Sequence, residues 1–218
     1  VMPDVSSPDG AGLVAYVTLE SVREIAATKV QQHATHFTGQ VHLVPQPTKE
    51  TNEVPPADPP SWSDETPLDP EAIYRVYFHG PAFQVLEGVQ AGGGRVIGRM
   101  NANLPPMMAK SKQTITLPLL IELCMQTAGV WEIGKTGTLA LPTALDRVVL
   151  HRSQENGSLL YAEIEPRTGP GDEVSFDGRV MDEKGNLYLE LTGYRTARLP
   201  ESTVPTSSPS GMPGAGPA

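Results

Sequence analysis

The spacing of apolar and polar positions changes several times along this chain. In GLVAYVTLES (12–21) and VQQHATHFTGQVHLV (30–44), β-branched residues partly alternate with polar ones. This predicts two strands joined by a charged turn around Arg23 and Glu24. The stretch before them, 1–10, is turn-rich. Over 45–70 the apolar residues thin out in PQPTKETNEVPPADPPSWSDETPLDP. Proline removes backbone donors and favours extended chain, so a linker is predicted. In DPEAIYRVYFHGPAFQVL (69–86) a short helix opens at Asp69 and Pro70, a loop follows at His79-Gly80-Pro81, and the chain then enters a sheet. LEGVQAGGGRVIGRMNA (86–102) reads as two strands about a glycine turn, and 106–118 as a loop.

The next run, LPLLIELCMQTAG (117–129), is apolar on nearly every side. Pro118 would sit in the first turn of a helix, where its missing N–H costs little. Four strand patterns follow at 143–152, 158–167, 172–185 and 186–199, with a hairpin turn over Asp182 to Gly185. The residues from Pro200 onward are low in complexity and are expected to be disordered. A helix without a polar face, followed by consecutive strands, predicts an α+β fold. In it a curved antiparallel sheet wraps around a central buried helix.

Composition narrows the function classes. The chain has 218 residues, 39% of them apolar, with 22 prolines and 21 glycines, so sizeable segments should lie outside the core. A net charge of −9 without basic clusters argues against nucleic acid and against an anionic membrane surface. Cys124 is the only cysteine, so no intrachain disulfide forms. With no signal peptide, lipidation motif or long apolar span in view, a cytoplasmic setting is expected.

Glu122 is the one carboxylate inside the apolar run. Burying an ionised carboxylate is costly unless something pairs with it. A structural partner such as Arg147 or a backbone N–H is one answer, and a chemical use is the other. Gln126 lies one turn on and could orient the carboxyl or hydrogen-bond the sheet. His79 is either a turn histidine or a residue that lines a site. His33, His36 and His42 fall in strand patterns without ligand-like spacing, so no metal is expected. AGGGRVIG leads into a strand rather than a helix, which makes it a turn and not a phosphate loop. Cys124 reads as a packed core thiol.

Three motifs, in order, carry a family resemblance. YFHGPAFQVLEGV (77–89) resembles the GPxFQ segment that opens the second half of polyketide synthase dehydratase domains. LPLLIELCMQ resembles their P-x-L-x-D-x-x-x-Q helix, and LPTALDRVVLH (141–151) their LPxxW-x-x-V-x-L-H segment. VMDEKGNLYLELTGYRTARL (180–199) is similar to their closing hairpin. His151 matches a structural histidine of the family. Similar domains occur in polyunsaturated fatty acid synthases. The resemblance implies a double hotdog, two hotdog units fused in one chain. Residues 1–44 would be the closing strands of a truncated first hotdog and 45–70 the linker. Residues 71–199 would be the second hotdog, and 200–218 a linker to the next synthase domain.

The implied reaction removes water from a 3-hydroxyacyl thioester to give the 2-enoyl form. It needs no cofactor, since the substrate rides on the phosphopantetheine arm of an acyl carrier protein. That carrier and neighbouring synthase domains are the implied partners, and a homodimer is left open. Carried onto this sequence, Glu122 is the catalytic position. Gln126, His79, Gly80, Pro81, Leu141 and Pro142 would line or orient the site. Three positions depart from the pattern. Glu122 replaces the Asp of the family, although related single-hotdog dehydratases place Glu there. His79 stands for the usual Tyr, and Leu145 for the Trp of LPxxW. The HxxxGxxxxP motif that bears the family's catalytic His is absent from this chain, so the chain alone is expected not to dehydrate. A degenerate scaffold or acyl-binding module, and a product-template-like cyclisation domain, are the alternatives.

The implied chemistry is β-elimination. A base takes the C2 proton, an acid protonates the departing C3 hydroxyl, and donors at a helix N-terminus can hold the enolate oxygen. Apolar surroundings favour a protonated carboxyl at Glu122. The helix dipole opposes this by about 0.3–1 kcal/mol.

Overall fold

The computed structural model describes residues 3–4, 13–26, 28–43, 56–63, 67–105, 117–152, 158–169 and 173–198. The expectations for 5–10, 45–55, 106–116 and the tail from Pro200 lie outside them. The chain divides into two compact units, Val1–Glu53 and Val54–Ala218.

The first unit contains a short strand β1 (Pro3–Asp4) and two long strands, β2 (Leu13–Ile25) and β3 (Val30–Leu43), in the order β1-β2-β3. β2 and β3 form an antiparallel ribbon running from Leu13 opposite Leu43 to Ile25 opposite Val30. The chain does not turn at Arg23 and Glu24, which pair with Gln32 and Gln31 in the ladder. It turns after Ile25, whose carbonyl accepts from the Lys29 N–H at 2.8 Å. Lys29 takes the left-handed conformation there, with φ 56°. Residues directly opposite share a face. Leu13, Val17 and Leu19 therefore lie with Leu43, Val41 and Phe37 on one face, and Thr18, Glu20, Thr38 and Thr35 on the other. All six of these apolar side chains are exposed.

The second unit opens with α1 (Pro70–Tyr74). The Asp69 side chain caps it, accepting from the Ala72 N–H at 2.8 Å, and Pro70 occupies the first turn as expected. A short 3-10 turn over Pro81–Phe83 leads into β4 (Leu86–Gly92) and β5 (Arg95–Met100). Gly93 and Gly94, both at positive φ, make the hairpin between them, a backbone that other residues adopt only under strain. Then come α2 (Pro118–Thr136), β6 (Ala140–Ala144), β7 (Arg147–Leu150), β8 (Leu160–Thr168), β9 (Val174–Asp182) and β10 (Leu187–Arg198). The sheet has seven strands in the order β4-β5-β8-β9-β10-β6, with β7 also paired to β10. Each pairing is antiparallel.

α2 packs across one face of this sheet, against β4, β5, β6, β8, β9 and β10. Leu120, Leu123, Cys124, Ala128, Val130 and Ile133 are buried against Val96, Ala162, Ile164, Phe176, Val180 and Leu189. No residue from Leu117 to Gly134 is exposed. This is the hotdog arrangement that the all-round apolar run predicted.

Two boundaries differ from the expectation. The strand expected over 143–152 is broken into β6 and β7 at Leu145 and Asp146. Asp146 donates its N–H to the Thr192 carbonyl at 3.1 Å and accepts from the Arg195 guanidinium at 2.6 Å. Gly193, at φ 65°, leaves the space that the Asp146 carboxylate fills. The linker ends earlier than Pro70. The Ala57 N–H bonds to the Gly185 carbonyl at 2.9 Å, and Leu68 bridges to Val89 through both backbone bonds. Trp62 packs 5.8 Å from the Tyr161 ring, with the Arg99 guanidinium over its face. The aromatic ring and these backbone bonds together dock the proline-rich stretch.

Candidate active site

The site is assembled on the second turn of α2 by the chain that follows α1. Tyr74 closes α1, and Tyr77 lies just beyond it. The buried Tyr77 hydroxyl donates to the Gln126 backbone carbonyl at 2.8 Å. A side chain at Gly129 would collide with that hydroxyl, so this glycine is what lets Tyr77 lie against the helix. The loop from Phe78 to Gly80 is thereby held over α2.

Gln126, a residue 2% exposed, is the hub through its side chain. Its amide nitrogen donates to the Phe83 carbonyl at 2.7 Å and to Glu122 Oε1 at 2.8 Å. Its amide oxygen accepts from the Tyr74 hydroxyl at 2.8 Å, and Tyr74 in turn accepts from the Leu86 N–H at 2.7 Å. A carbonyl can only accept, so Phe83 fixes which way the amide points. Burial raises the hydroxyl pKa of both Tyr74 and Tyr77 well above the ordinary value. Both therefore stay neutral donors at ordinary pH.

His79 completes the cluster. Its Nε2 lies 3.0 Å from Glu122 Oε1. The ring stacks on Phe78 at 5.0 Å and meets the edge of Tyr77 at 5.2 Å. Its other nitrogen, Nδ1, is buried without a hydrogen-bond partner among the described residues. Glu122 is held by Gln126 and His79 rather than by Arg147, which sits in β7 opposite Thr192. The side chains of His79 and Glu122 are 20% and 22% exposed. The full burial suggested by the apolar run is not reached, because Glu122 lies at the wall of an open cavity.

That cavity has a volume of about 190 Å³. His79, Glu122 and Gln126 line it together with apolar residues such as Phe78, Met125 and Leu141. Pro142, in the middle of β6, also lines it. Gly80 and Pro81 are exposed and are not part of the lining. They form the N-terminus of the 3-10 turn and so shape the loop instead of touching the cavity. Tyr74, Tyr77 and Tyr194 were not singled out from the sequence. The YRVY spacing held a hint of the first two, but nothing local placed Tyr194 at the cavity. Glu132, also missed, is buried at 3% exposure and accepts from the Thr196 hydroxyl at 2.8 Å. Among the described residues, no three His, Cys, Asp or Glu are grouped as metal ligands, and no helix is long and apolar enough to cross a membrane.

A buried helix in an antiparallel wrap, with a carboxyl–amide–imidazole cluster at an apolar cavity, defines a hotdog domain with groups suited to proton transfer. Residues 53–206 match the family described as polyketide synthase dehydratase N-terminal domain, and the chain belongs to that family. Polyketide synthase PksN of Bacillus subtilis is 24% identical over 156 residues, covering 66% of this chain and 3% of that protein. A polyunsaturated fatty acid synthase polypeptide of a Thraustochytrium species is 26% identical over 150 residues, covering 63% of this chain and 5% of that protein. A dehydratase domain of a trans-AT polyketide synthase from Brevibacillus brevis superposes with a TM-score of 0.63 at 16% identity, covering 89% of this chain and 67% of that one. The dehydratase domain from the CurJ module of curacin polyketide synthase gives 0.56 at 19% identity, covering 85% and 67%. The chain thus spans a small part of its curated relatives and about two thirds of the solved domains.

Proposed function

We propose that this chain is part of a dehydratase domain of a type I polyketide or polyunsaturated fatty acid synthase. Its reaction is loss of water from a 3-hydroxyacyl thioester carried on the phosphopantetheine arm of an acyl carrier protein. No further cofactor takes part, and the domain works in the cytoplasm beside the other synthase domains. The observation that carries this reading is the position of Glu122. It stands in an apolar cavity with one oxygen held by the Gln126 amide, which leaves the carboxyl to serve as the acid for the C3 hydroxyl. Phe78, Met125 and Leu141 offer the acyl chain an apolar wall.

The assignment of the second unit to the second hotdog rests on the order of its motifs. The Gly-Pro loop, the Glu122 helix and the closing hairpin follow in the sequence that the resemblance implies. The family description, by contrast, names an N-terminal domain. The test is elimination from 3-hydroxybutyryl pantetheine by the synthase polypeptide that carries this chain. Glu122→Gln keeps the shape but cannot donate the proton, so turnover should fall by about 10²–10⁴ with the fold intact. Full turnover with a lowered melting temperature would make Glu122 a purely structural residue.

A further inference from the structure

The cluster around Glu122 uses every polar side chain that lines the cavity except one, Tyr194. The local backbone explains why this β10 residue faces α2 at all. Leu191 pairs with Gly178 and Tyr194 with Phe176, so β10 takes one residue more than β9 between the two pairs. That is a β-bulge. Gly193 occupies it at φ 65°, and its N–H donates to Asp177 Oδ1 at 2.9 Å. In a regular strand side chains alternate, and Tyr194, three positions after the buried Leu191, would point away from the core. The bulge returns it to the buried face, where its ring lies 5.9 Å from that of Phe176.

The hydroxyl carried there has no internal use. It makes no hydrogen bond among the described residues, and its oxygen is not one of the sealed polar atoms, so it keeps accessible surface. The space that Tyr194 lines is the cavity. Burial, with the carboxylates of Glu132 and Glu122 nearby, raises its pKa, so it stays a neutral donor at ordinary pH. Water satisfies such a donor while the cavity is empty. A hydrocarbon chain displaces that water and leaves the hydroxyl unpaired, whereas an oxygen on the chain replaces the lost bond.

We propose, on the dehydratase reading above, that Tyr194 selects among acyl chains, its hydroxyl donating to an oxygen that the chain carries beyond C3. The favoured substrates are then 3-hydroxyacyl thioesters with a second hydroxyl or keto group, and plain hydrocarbon chains are poorer ones. The lining runs along α2 from Glu122 to Gly129, about 10 Å of helix. A chain whose C3 oxygen meets Glu122 therefore carries its later oxygen past that carboxyl within the same cavity. The remaining wall, with Phe78, Met125 and Leu141, is apolar, so one donor decides the preference.

The test is competition for elimination by the synthase polypeptide that carries this chain. 3-Hydroxyoctanoyl pantetheine is mixed in turn with its 5-, 6- and 7-hydroxy analogues, and the ratio of kcat/KM values is read from the products. At least one analogue should be preferred by about tenfold or more, and Tyr194→Phe should remove about tenfold of that preference. The variant loses no internal bond, so its melting temperature should stay within about 2 °C of the parent. Equal use of all four substrates would overturn the proposal. So would a preference that survives Tyr194→Phe; if that variant slows all four alike, the hydroxyl serves the pantetheine arm that they share. A fall in melting temperature of more than about 4 °C would overturn it as well, because the hydroxyl would then be bonded within the fold. If no substrate loses water, the dehydratase reading itself falls, and the role of Tyr194 with it.

Discussion

Gln126→Met tests whether one amide holds the site together. Methionine keeps the length, the unbranched shape and the helix propensity of glutamine and removes only the polar head. Three side-chain bonds go, and they are not equal. The Phe83 carbonyl loses a part-buried bond. Glu122 is 22% exposed and keeps His79. Each of those losses costs about 1 kcal/mol net. The Tyr74 hydroxyl keeps the Leu86 N–H but has no other acceptor for its own proton among the described residues. Burial holds that hydroxyl neutral, so it must strand a donor, at a cost of about 2 kcal/mol. Burying a thioether in place of the amide returns about 1 kcal/mol, leaving a loss of about 3 kcal/mol.

For a domain of this size, 1 kcal/mol moves the melting temperature by about 2–4 °C, so the expected fall is about 6–12 °C. Melting of the single variants and of the pair with Tyr74→Phe closes a double-mutant cycle. Groups in one network should couple by about 1 kcal/mol or more. A fall under about 2 °C, or strict additivity with Tyr74→Phe, would refute the view that Gln126 ties α1 to α2.

Two further outcomes follow from buried groups. Burial raises the Glu132 carboxyl above its ordinary value, opposed by the Thr196 hydroxyl and Arg198, so the native state binds the extra proton. Stability from this group is present below the ordinary value of 4.5 and is lost as pH rises through the raised one. Glu132→Gln should therefore raise the melting temperature at pH 7 and lose that advantage below 4.5; a lower value at pH 7 would show that Arg198 needs the charge. Cys124 is fully buried, and burial pushes its thiol up to about 12. It should react with a thiol reagent at pH 8 only as fast as the unit unfolds, and rapid labelling of the native chain would contradict the packing of α2.

The fold was legible because its strongest signal is long. Nineteen residues of α2 without a polar face require a wrap, and period-2 strands on either side supply it. The Asp69 cap and the Gly93-Gly94 turn were legible for the same local reason. What was hidden is set by partners far along the chain. Asp146 breaks the strand only because Gly193 and Arg195, some fifty residues on, make room and charge for it. Trp62 docks the end of the linker through Tyr161 and Arg99. At the site, Glu122 and Gln126 could be paired from their i, i+4 spacing. The tyrosines could not be placed, because their bonds reach across the loop to the helix.

The two departures from the family pattern that matter most face one another. The resemblance would put Asp and Tyr where this chain has Glu122 and His79. Glutamate extends the carboxyl by one C–C bond, about 1.5 Å, away from the helix backbone. Imidazole presents a ring nitrogen where tyrosine would present a hydroxyl further out. The longer acid and the shorter ring meet at 3.0 Å, while Gln126, one turn away, still reaches the same oxygen at 2.8 Å. Shortening the acid alone would pull it from His79. Lengthening the ring alone would drive a hydroxyl into the carboxyl. The two substitutions meet in one contact, so the pair behaves as one unit of the site, with an acid and an imidazole where the pattern of the family has an acid and a phenol.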